Sequence, residues 1–520
     1  MKPTPASLDA GERVDVAQLK RSSVRGGAVT AATQAINFAI HLASTVTLAR
    51  ILSPEDYGVV AMVTTITVFA GLFRDLGLSA STIQRKTLTH HQLSNLFWIN
   101  VAAGATLTII TASAAPLVAW FYGRPELTPV TLALSLTFVI GSFSTQQSAL
   151  LTRRMLFLRR SVATVSGALV TLIVAVTLAL NGMRYWALVS GTLAGAVITT
   201  LLLNTFSGWR PSRPSRGTGI RSMMKYGLNL TGFDLVNYFS RNLDNVLIGR
   251  YCGPDALGLY SRAYNLMMLP ISNLRGPIGA VAFPAMSRLQ GQPDDFRSYY
   301  RTVTFVLGVT SMPLVALLFI VSEPLIELAL GPQWLPSARI FSVLAIAAYF
   351  QTASGFRGTA LMSLGMGQQF LAQGVIGAFF ASLSFVIGVR WGPMGVATAY
   401  AIQTWLLLYP THVYAFHGTP ITVRDFFGPL VAPMFASIAA GLAAWLLRAQ
   451  MLGGTSLWVD LGATSVIYSI IYLALLLIRS EDRSRLQRAI RFLRRREPTP
   501  AKVTPTGLAS TTPSSPSSAC

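Results

Sequence analysis

Leu48-Ala-Arg50-Ile-Leu-Ser-Pro54-Glu-Asp-Tyr-Gly58 aligns without a gap on Ile248-Gly-Arg250-Tyr-Cys-Gly-Pro254-Asp-Ala-Leu-Gly258, 200 residues further along the chain. In each copy an apolar segment runs into an arginine, and a proline then opens the next segment, where a helix has no use for its missing N–H. The same register carried backward sets Gln34, Asn37, His41 and Ser44 opposite Asp234, Asn237, Arg241 and Asp244. Both sets are spaced i, i+3, i+7, i+10, so at about 100° per residue each forms one narrow polar stripe on a helix. Recurrence of turn and stripe together marks a chain built from two related halves.

The surroundings of both copies are suited to lipid. Of 520 residues, 52% are hydrophobic and 12% charged, against roughly 25% charged in soluble domains. A helix crossing about 30 Å of hydrocarbon needs about 20 mainly apolar residues, because backbone groups in lipid must satisfy one another. About fourteen segments qualify, among them 24–50, 94–121, 256–286, 337–362 and 394–416. An even number of spans separates the copies, so both enter the membrane in the same direction, as a pseudo-two-fold along the membrane normal requires. The expected fold is an all-α integral membrane bundle of about 14 transmembrane helices, with two six-helix lobes and two accessory helices. Its expected parts are a cytoplasmic N-terminal segment (1–23), an N-lobe (24–207), a cytoplasmic inter-lobe linker (208–220), a C-lobe (221–416), accessory spans (427–478), a basic interfacial segment (479–497) and a disordered tail (498–520).

Charge fixes the orientation. Lys and Arg number 41 against 19 Asp and Glu, a net charge of +22. Clusters such as Arg85-Lys86, Arg153-Arg154 with Arg159-Arg160, Arg210 with Arg213 and Arg216, and Arg288 with Arg297 follow even-numbered spans. Intervening loops carry single cations, Arg124, Arg184, Arg250, Arg339, Arg390 and Arg448. Clustered cations stay in the cytoplasm, which places both termini there. Between Arg479 and Arg496, Leu486, Ile490 and Leu493 recur at helical spacing among eight arginines, the pattern of a helix lying on an anionic leaflet or of a solvated tail. The excess charge is thus topological, and no nucleic-acid partner is expected. Cys252 and Cys520 cannot build a disulfide framework or a thiolate metal site, and no cleavable signal pattern opens the chain.

Polar groups at membrane depth cost about 2.5–3.5 kcal/mol each on insertion scales, so they line a cavity or pair with one another. The two stripes are read as cavity lining, with an Asp234–Arg241–Asp244 network locking the bundle as the structural alternative. Arg74 and Asp75, Gln146 and Gln147, Arg262, Asn265, Arg275 and Arg357 also fall within spans; Asp75 and Arg262 read as structural. Pro270 should kink its span. His90-His91 reads as a solvated loop pair, no metal ligand set or nucleophile motif stands out, and no Gly-Lys-Ser/Thr phosphate loop occurs, so no cofactor and no ATP hydrolysis by that route are expected.

Pro54-Glu-Asp-Tyr-Gly58, Asp244-Asn-Val-Leu-Ile-Gly249, Leu257-Gly-Leu-Tyr-Ser-Arg-Ala-Tyr-Asn-Leu266, Phe283-Pro-Ala-Met-Ser-Arg288 and Leu330-Gly-Pro-Gln-Trp334, in this order, resemble bacterial polysaccharide exporters of the Wzx type, over roughly 22–420. That family belongs to the multidrug, oligosaccharidyl-lipid and polysaccharide exporter superfamily. The resemblance implies a non-enzymatic flippase of the bacterial inner membrane that moves undecaprenyl-pyrophosphate-linked repeat units for lipopolysaccharide, capsule or exopolysaccharide, with membrane lipids, a polysaccharide polymerase and chain-length machinery as partners. Such a substrate brings a pyrophosphate, for which Arg241, Arg74, Arg275 and Arg357 are the candidate contacts, and sugar hydroxyls, for which Gln34, Asn37, Asn237 and Gln146 are. Asp234 and Asp244, with His41, are candidates for a coupling ion. Arg241→Ala is expected to abolish polymer export from a folded protein, as an export assay would read. A drug or organic-cation exporter would share the fold but wants acidic, aromatic lining; a membrane polymerase or ligase would want a large external loop, and every external loop here is short.

Overall fold

The computed structural model describes the backbone of residues 16–75, 77–85, 88–215, 221–451, 456–478 and 483, and side chains over the same ranges except 16–25, 221–241 and 451. Residues 1–15 of the N-terminal segment, 216–220 of the linker, all of 479–497 but residue 483, and the tail 498–520 lie outside the described residues. Every regular element among the described residues is helical.

The N-terminal half comprises α1 (Val16–Ile51), α2 (Pro54–Asp75), α3 (Leu78–Gln84), α4 (His90–Ser113), α5 (Ala115–Tyr122), α6 (Leu127–Arg153), α7 (Phe157–Leu180) and α8 (Tyr185–Ser207). The C-terminal half comprises α9 (Arg221–Arg288), α10 (Pro293–Ile320), α11 (Ser322–Leu330), α12 (Leu335–Ala348), α13 (Gln351–Ser354), α14 (Phe356–Ser363), α15 (Gly367–Gly388), α16 (Gly392–Leu406) and α17 (Leu408–Phe416). Two further helices, α18 (Val423–Met451) and α19 (Leu457–Ile478), lean on α10. Each half packs chiefly within itself, and the halves meet mainly where α2 lies along α9.

Among the described residues ten helical stretches are long and apolar enough to cross a membrane. Side chains on the outer surface, such as Leu180, Ile173, Phe379, Phe435 and Ile478, are exposed and apolar, as they must be where the solvent is hydrocarbon. The chain is a multi-pass membrane protein.

Several spans read as continuous are broken. The segment 94–121 divides at Ala114, two residues before Pro116, and 337–362 is split into α12, α13 and α14. Segment 394–416 breaks at Leu407 between α16 and α17. In α9 the non-helical residue is Gly253 (φ 87°), next to the repeated proline, and the dihedrals stay helical through Pro270. Proline's ring removes one ladder hydrogen bond without ending the helix, whereas an extended glycine with positive φ reverses the chain.

The described part of the linker, 208–215, is docked on α4. Asn95 Nδ2 donates to Ser215 O (2.6 Å) while its Oδ1 accepts from Ser215 N (2.9 Å), and Ser212 N donates to Ser94 Oγ (3.0 Å). His90 accepts from Trp209 Nε1 at 3.1 Å; it and His91 are exposed, as a solvated pair should be, but they open α4 and do not lie in a loop.

Candidate functional site

The two copies of the repeated turn pack on each other. A Cβ on Gly58 would fall 1.7 Å from the Pro254 carbonyl oxygen, and one on Gly258 would fall 1.9 Å from that of Pro54. Only hydrogen fits at either place, so the backbones of the two halves touch reciprocally. Around this contact the helix ends are plugged into the opposite half. Trp334 is fully buried, meets Tyr57 edge-on at 5.4 Å and donates to Ala49 O at 2.8 Å. Gln333 donates to Ala49 O and Leu52 O, Arg50 donates to Leu328 O, and Arg250 lies 5.8 Å over the Phe121 ring. Asp56 accepts from Ser53 N and Oγ and pairs with Arg184 at 3.1 Å, its carboxylate holding the guanidinium proton more firmly than usual; Glu55 pairs with Arg184 at 3.0 Å. This end of the molecule is closed.

Directly beneath the seal lies a cavity of about 300 Å³ walled by both halves. His41 and Ser44 of α1, Thr64 of α2, and Asn242, Asn245 and Arg262 of α9 face it. Arg262 Cζ sits 4.2 Å over the Tyr57 ring, a cation–π contact. Its Nε is buried without a hydrogen-bond partner, and no described carboxylate pairs with it. An arginine fork with donors to spare in a low-dielectric cleft is built to take a planar or tetrahedral oxyanion.

Each half adds a cavity of its own. In the N-terminal half an open cavity of about 760 Å³ lies between α2, α6 and α8, and it shares Thr64, Val68 and Thr192 with the cavity under the seal, so the two adjoin. Arg74 projects into it over Gly141, where a Cβ would lie 2.5 Å from Nη1; its buried Nε also has no partner. In the C-terminal half about 310 Å³ lies between α9, α13–α14 and α15–α17. Arg275 lies there over Gly355, where a Cβ would lie 2.5 Å from Cζ, and its Nη2 donates to the Gly355 carbonyl at 3.0 Å. Arg357 faces the same space, with Nη1 donating to Ser354 Oγ (3.2 Å) and Thr411 Oγ1 (3.0 Å).

Of the residues singled out from the sequence, the structure brings His41 to the cavity under the seal, Arg74 to the N-terminal cavity, and Arg275 and Arg357 to the C-terminal one. Asn37 is half-buried with Oδ1 unpaired, and Gln34 is exposed on α1. Gln146 is fully buried, accepts from Thr82 Oγ1 at 2.9 Å and lines none of these cavities. Asp244 is buried as well, accepting from Tyr260 Oη at 2.9 Å, a bond that ties the two arms of α9 together. Asp234, Asn237 and Arg241 are helical, with side chains outside the described residues. Asp75 accepts from Ser79 N and Oγ in the first turn of α3 and also lines the N-terminal cavity. Arg262 read as structural from sequence but lies in the cavity under the seal, as do Asn242 and Asn245. Their common signal is the Asp-Asn and Ser-Arg-Ala-Tyr-Asn motifs, which pin α9 and also face the cavity.

A helical bundle in two halves, sealed at one end over arginine-lined cavities, is a membrane transporter. The chain matches the family described as polysaccharide biosynthesis protein over residues 47–339, and it belongs to that family. It is 26% identical over 400 residues to the teichuronic acid biosynthesis protein TuaB of Bacillus subtilis (strain 168), covering 73% of this chain and 79% of that one. To the lipopolysaccharide biosynthesis protein WzxC of Escherichia coli (strain K12) it is 25% identical over 351 residues, 66% of this chain and 70% of that one. The fold is that of the lipid II flippase MurJ in an inward closed conformation, with a TM-score of 0.69 at 12% identity, covering 87% of this chain and 98% of that one.

Proposed function

We propose that this protein is a flippase that carries undecaprenyl-pyrophosphate-linked oligosaccharide repeat units from the cytoplasmic to the periplasmic leaflet of the bacterial inner membrane by alternating access. The observation that carries the reading is Arg262, a guanidinium whose buried Nε has no hydrogen-bond partner, in a cavity shared by both halves and lined with amides and hydroxyls. The cation takes the pyrophosphate, Asn242, Asn245 and Thr64 exchange hydrogen bonds with the glycan, and the prenyl chain stays in lipid. Cationic lining and the names of the relatives favour this over a drug or organic-cation exporter, and the short loops over a polymerase or ligase.

The architecture belongs to the same proposal. With α9 crossing twice about Gly253, and with α4–α5, α12–α14 and α16–α17 each counted as one broken span, the chain makes about fourteen crossings. The reciprocal Pro54–Gly258 and Pro254–Gly58 contacts support two lobes related by a pseudo-two-fold. The arginine clusters lie at the end opposite the seal, so the seal is periplasmic, both termini are cytoplasmic, and the described state is closed to the outside. Translocation opens the seal while the cytoplasmic side closes, delivering repeat units to a polymerase and chain-length machinery. Asp244, buried on Tyr260, is the proposed coupling site; transport by Asp244→Asn that still follows an imposed proton or sodium gradient removes it from that role.

Deletion of the gene should leave lipid-linked repeat units on the cytoplasmic leaflet, read by their inaccessibility to a periplasmic lectin in intact cells. Normal periplasmic delivery in the deletion strain refutes the proposal.

A further inference from the structure

The C-terminal cavity holds two guanidiniums, Arg275 and Arg357, and no described carboxylate lines it. Arg357 is anchored wholly by neutral groups. Besides Ser354 and Thr411, Gln373 accepts from Nε and Nη2 at 2.5 and 3.1 Å when its amide oxygen faces the guanidinium. His412 supplies no counter-charge, because its Nδ1 lies 2.6 Å from the Leu408 carbonyl and donates to it. Hydrogen bonds to neutral oxygens fix the direction of a guanidinium but leave its field intact, and in a low-dielectric cleft that field is strong. The remaining wall joins flat rings, Phe350, Phe370 and Tyr400, to the amides of Gln351 and Gln403. Such a wall suits a pyranose, whose apolar face lies on aromatic surface while its hydroxyls meet amides.

The anion this field awaits differs from the carrier phosphate. A phosphate is held by guanidinium donors left over from the fold, and a buried Nε without a partner is found on Arg262, where both halves converge, and on Arg74. Most N–H groups of Arg357 are engaged by Ser354, Thr411 and Gln373, so it contributes mainly its charge, and the rings and amides beside it mark that charge for an anion carried by a sugar, a carboxylate. We propose that the C-terminal cavity seats an acidic sugar of the lipid-linked repeat unit, a hexuronate or carboxyl-bearing equivalent, and that the protein therefore selects acidic over neutral glycans. This rests on the flippase reading and adds to it the chemistry of the glycan.

The test uses the full chain in proteoliposomes with two synthetic lipids. One is a polyprenyl pyrophosphate bearing a trisaccharide that ends in glucuronate; the other is the same lipid with that carboxyl reduced to give glucose. Translocation is read by access of an impermeant oxidase to the glycan. The wild type should move the acidic lipid roughly tenfold faster, the effect of about one charge-assisted contact. Arg275→Gln and Arg357→Gln should each erase most of that preference by slowing the acidic lipid alone, while Arg357→Lys, which keeps the charge, should retain part of it. Equal wild-type rates for the two lipids, or a full preference surviving in the double Gln variant, overturns the proposal and leaves the flippase reading standing. Glycan-free polyprenyl pyrophosphate supplies a third arm: if its competition is lost in Arg357→Gln, the cavity belongs to the carrier phosphate and the proposal falls. If neither lipid crosses, both readings fail.

Discussion

The two lobe cavities begin from the same device and end with opposite electrostatics. In each, an arginine of the helix that follows the repeated proline, Arg74 or Arg275, lies over a glycine of the opposite wall, Gly141 or Gly355. In the N-terminal cavity Asp75 stands beside Arg74, and most of the remaining polar lining is hydroxyl, as in Thr137, Thr145, Thr199 and Thr200. In the C-terminal cavity a second arginine replaces the acid, and amides and aromatic rings replace the hydroxyls. The two cavities thus share the placement of one cation over a glycine and differ in its surroundings. The N-terminal cavity, larger and adjoining the space under the seal, is suited to passage; the C-terminal one is suited to selection.

Arg262 belongs to both halves, so its removal gives the largest expected effect. Arg262→Gln should slow acidic and neutral lipids alike by about 100-fold, the upper range for losing a charged hydrogen-bonding partner, with Arg262→Lys intermediate. A loss confined to the acidic lipid would move the discriminating site from the C-terminal cavity to the shared one and break the comparison.

The seal comes next. Gly58→Leu and Gly258→Leu both force side-chain atoms into a backbone contact, at an overpacking cost of about 1–3 kcal/mol. Because the contacts are reciprocal, both variants should part the halves at this end and impair transport to a similar degree. Spin labels replacing the exposed Trp120 and Tyr251 in a cysteine-free background would report the separation. A strong effect from one glycine and none from the other would show that the repeat has lost its functional equivalence. Arg74→Gln should be milder, lowering transport of both lipids by about tenfold, and a change in their ratio would show that the N-terminal cavity also discriminates.

How far the sequence foretold this arrangement depends on whether a feature is local. The repeated turn, the helix restart at Pro54 and the all-helical apolar bundle follow from spacing and composition, and they recur in the structure, where the two turns pack on each other. A helical wheel, however, states which residues share a face and not where that face is turned. On α9 the returning arm draws Asp244 onto Tyr260, which leaves Asn242 and Asn245 toward the cavity. Gln146 is likewise taken by Thr82 of α3, 64 residues away in sequence. The position of Arg262 beside the cavity was hidden for the same reason, since its environment is made by Tyr57 of the other half. Contacts across the interface between the halves are long-range, and no window on one helix contains them.

The smallest expected effect separates the geometry of the seal from its decoration. Arg184 bridges Glu55 and Asp56 at the closed end, but its side chain is 59% exposed. Water and salt screen a pair of that exposure, which limits its contribution to about 0.2–1 kcal/mol. Asp56 retains its bonds to Ser53 N and Oγ without the arginine, so the N-terminus of α2 stays capped. Arg184→Ala should therefore leave transport within about twofold of wild type and lower stability by less than about 1 kcal/mol, measured by thermal unfolding in detergent at low and high salt. A loss as large as that of Gly58→Leu would mean that ion pairs, and not the Pro–Gly backbone contact, hold the lobes together at this end.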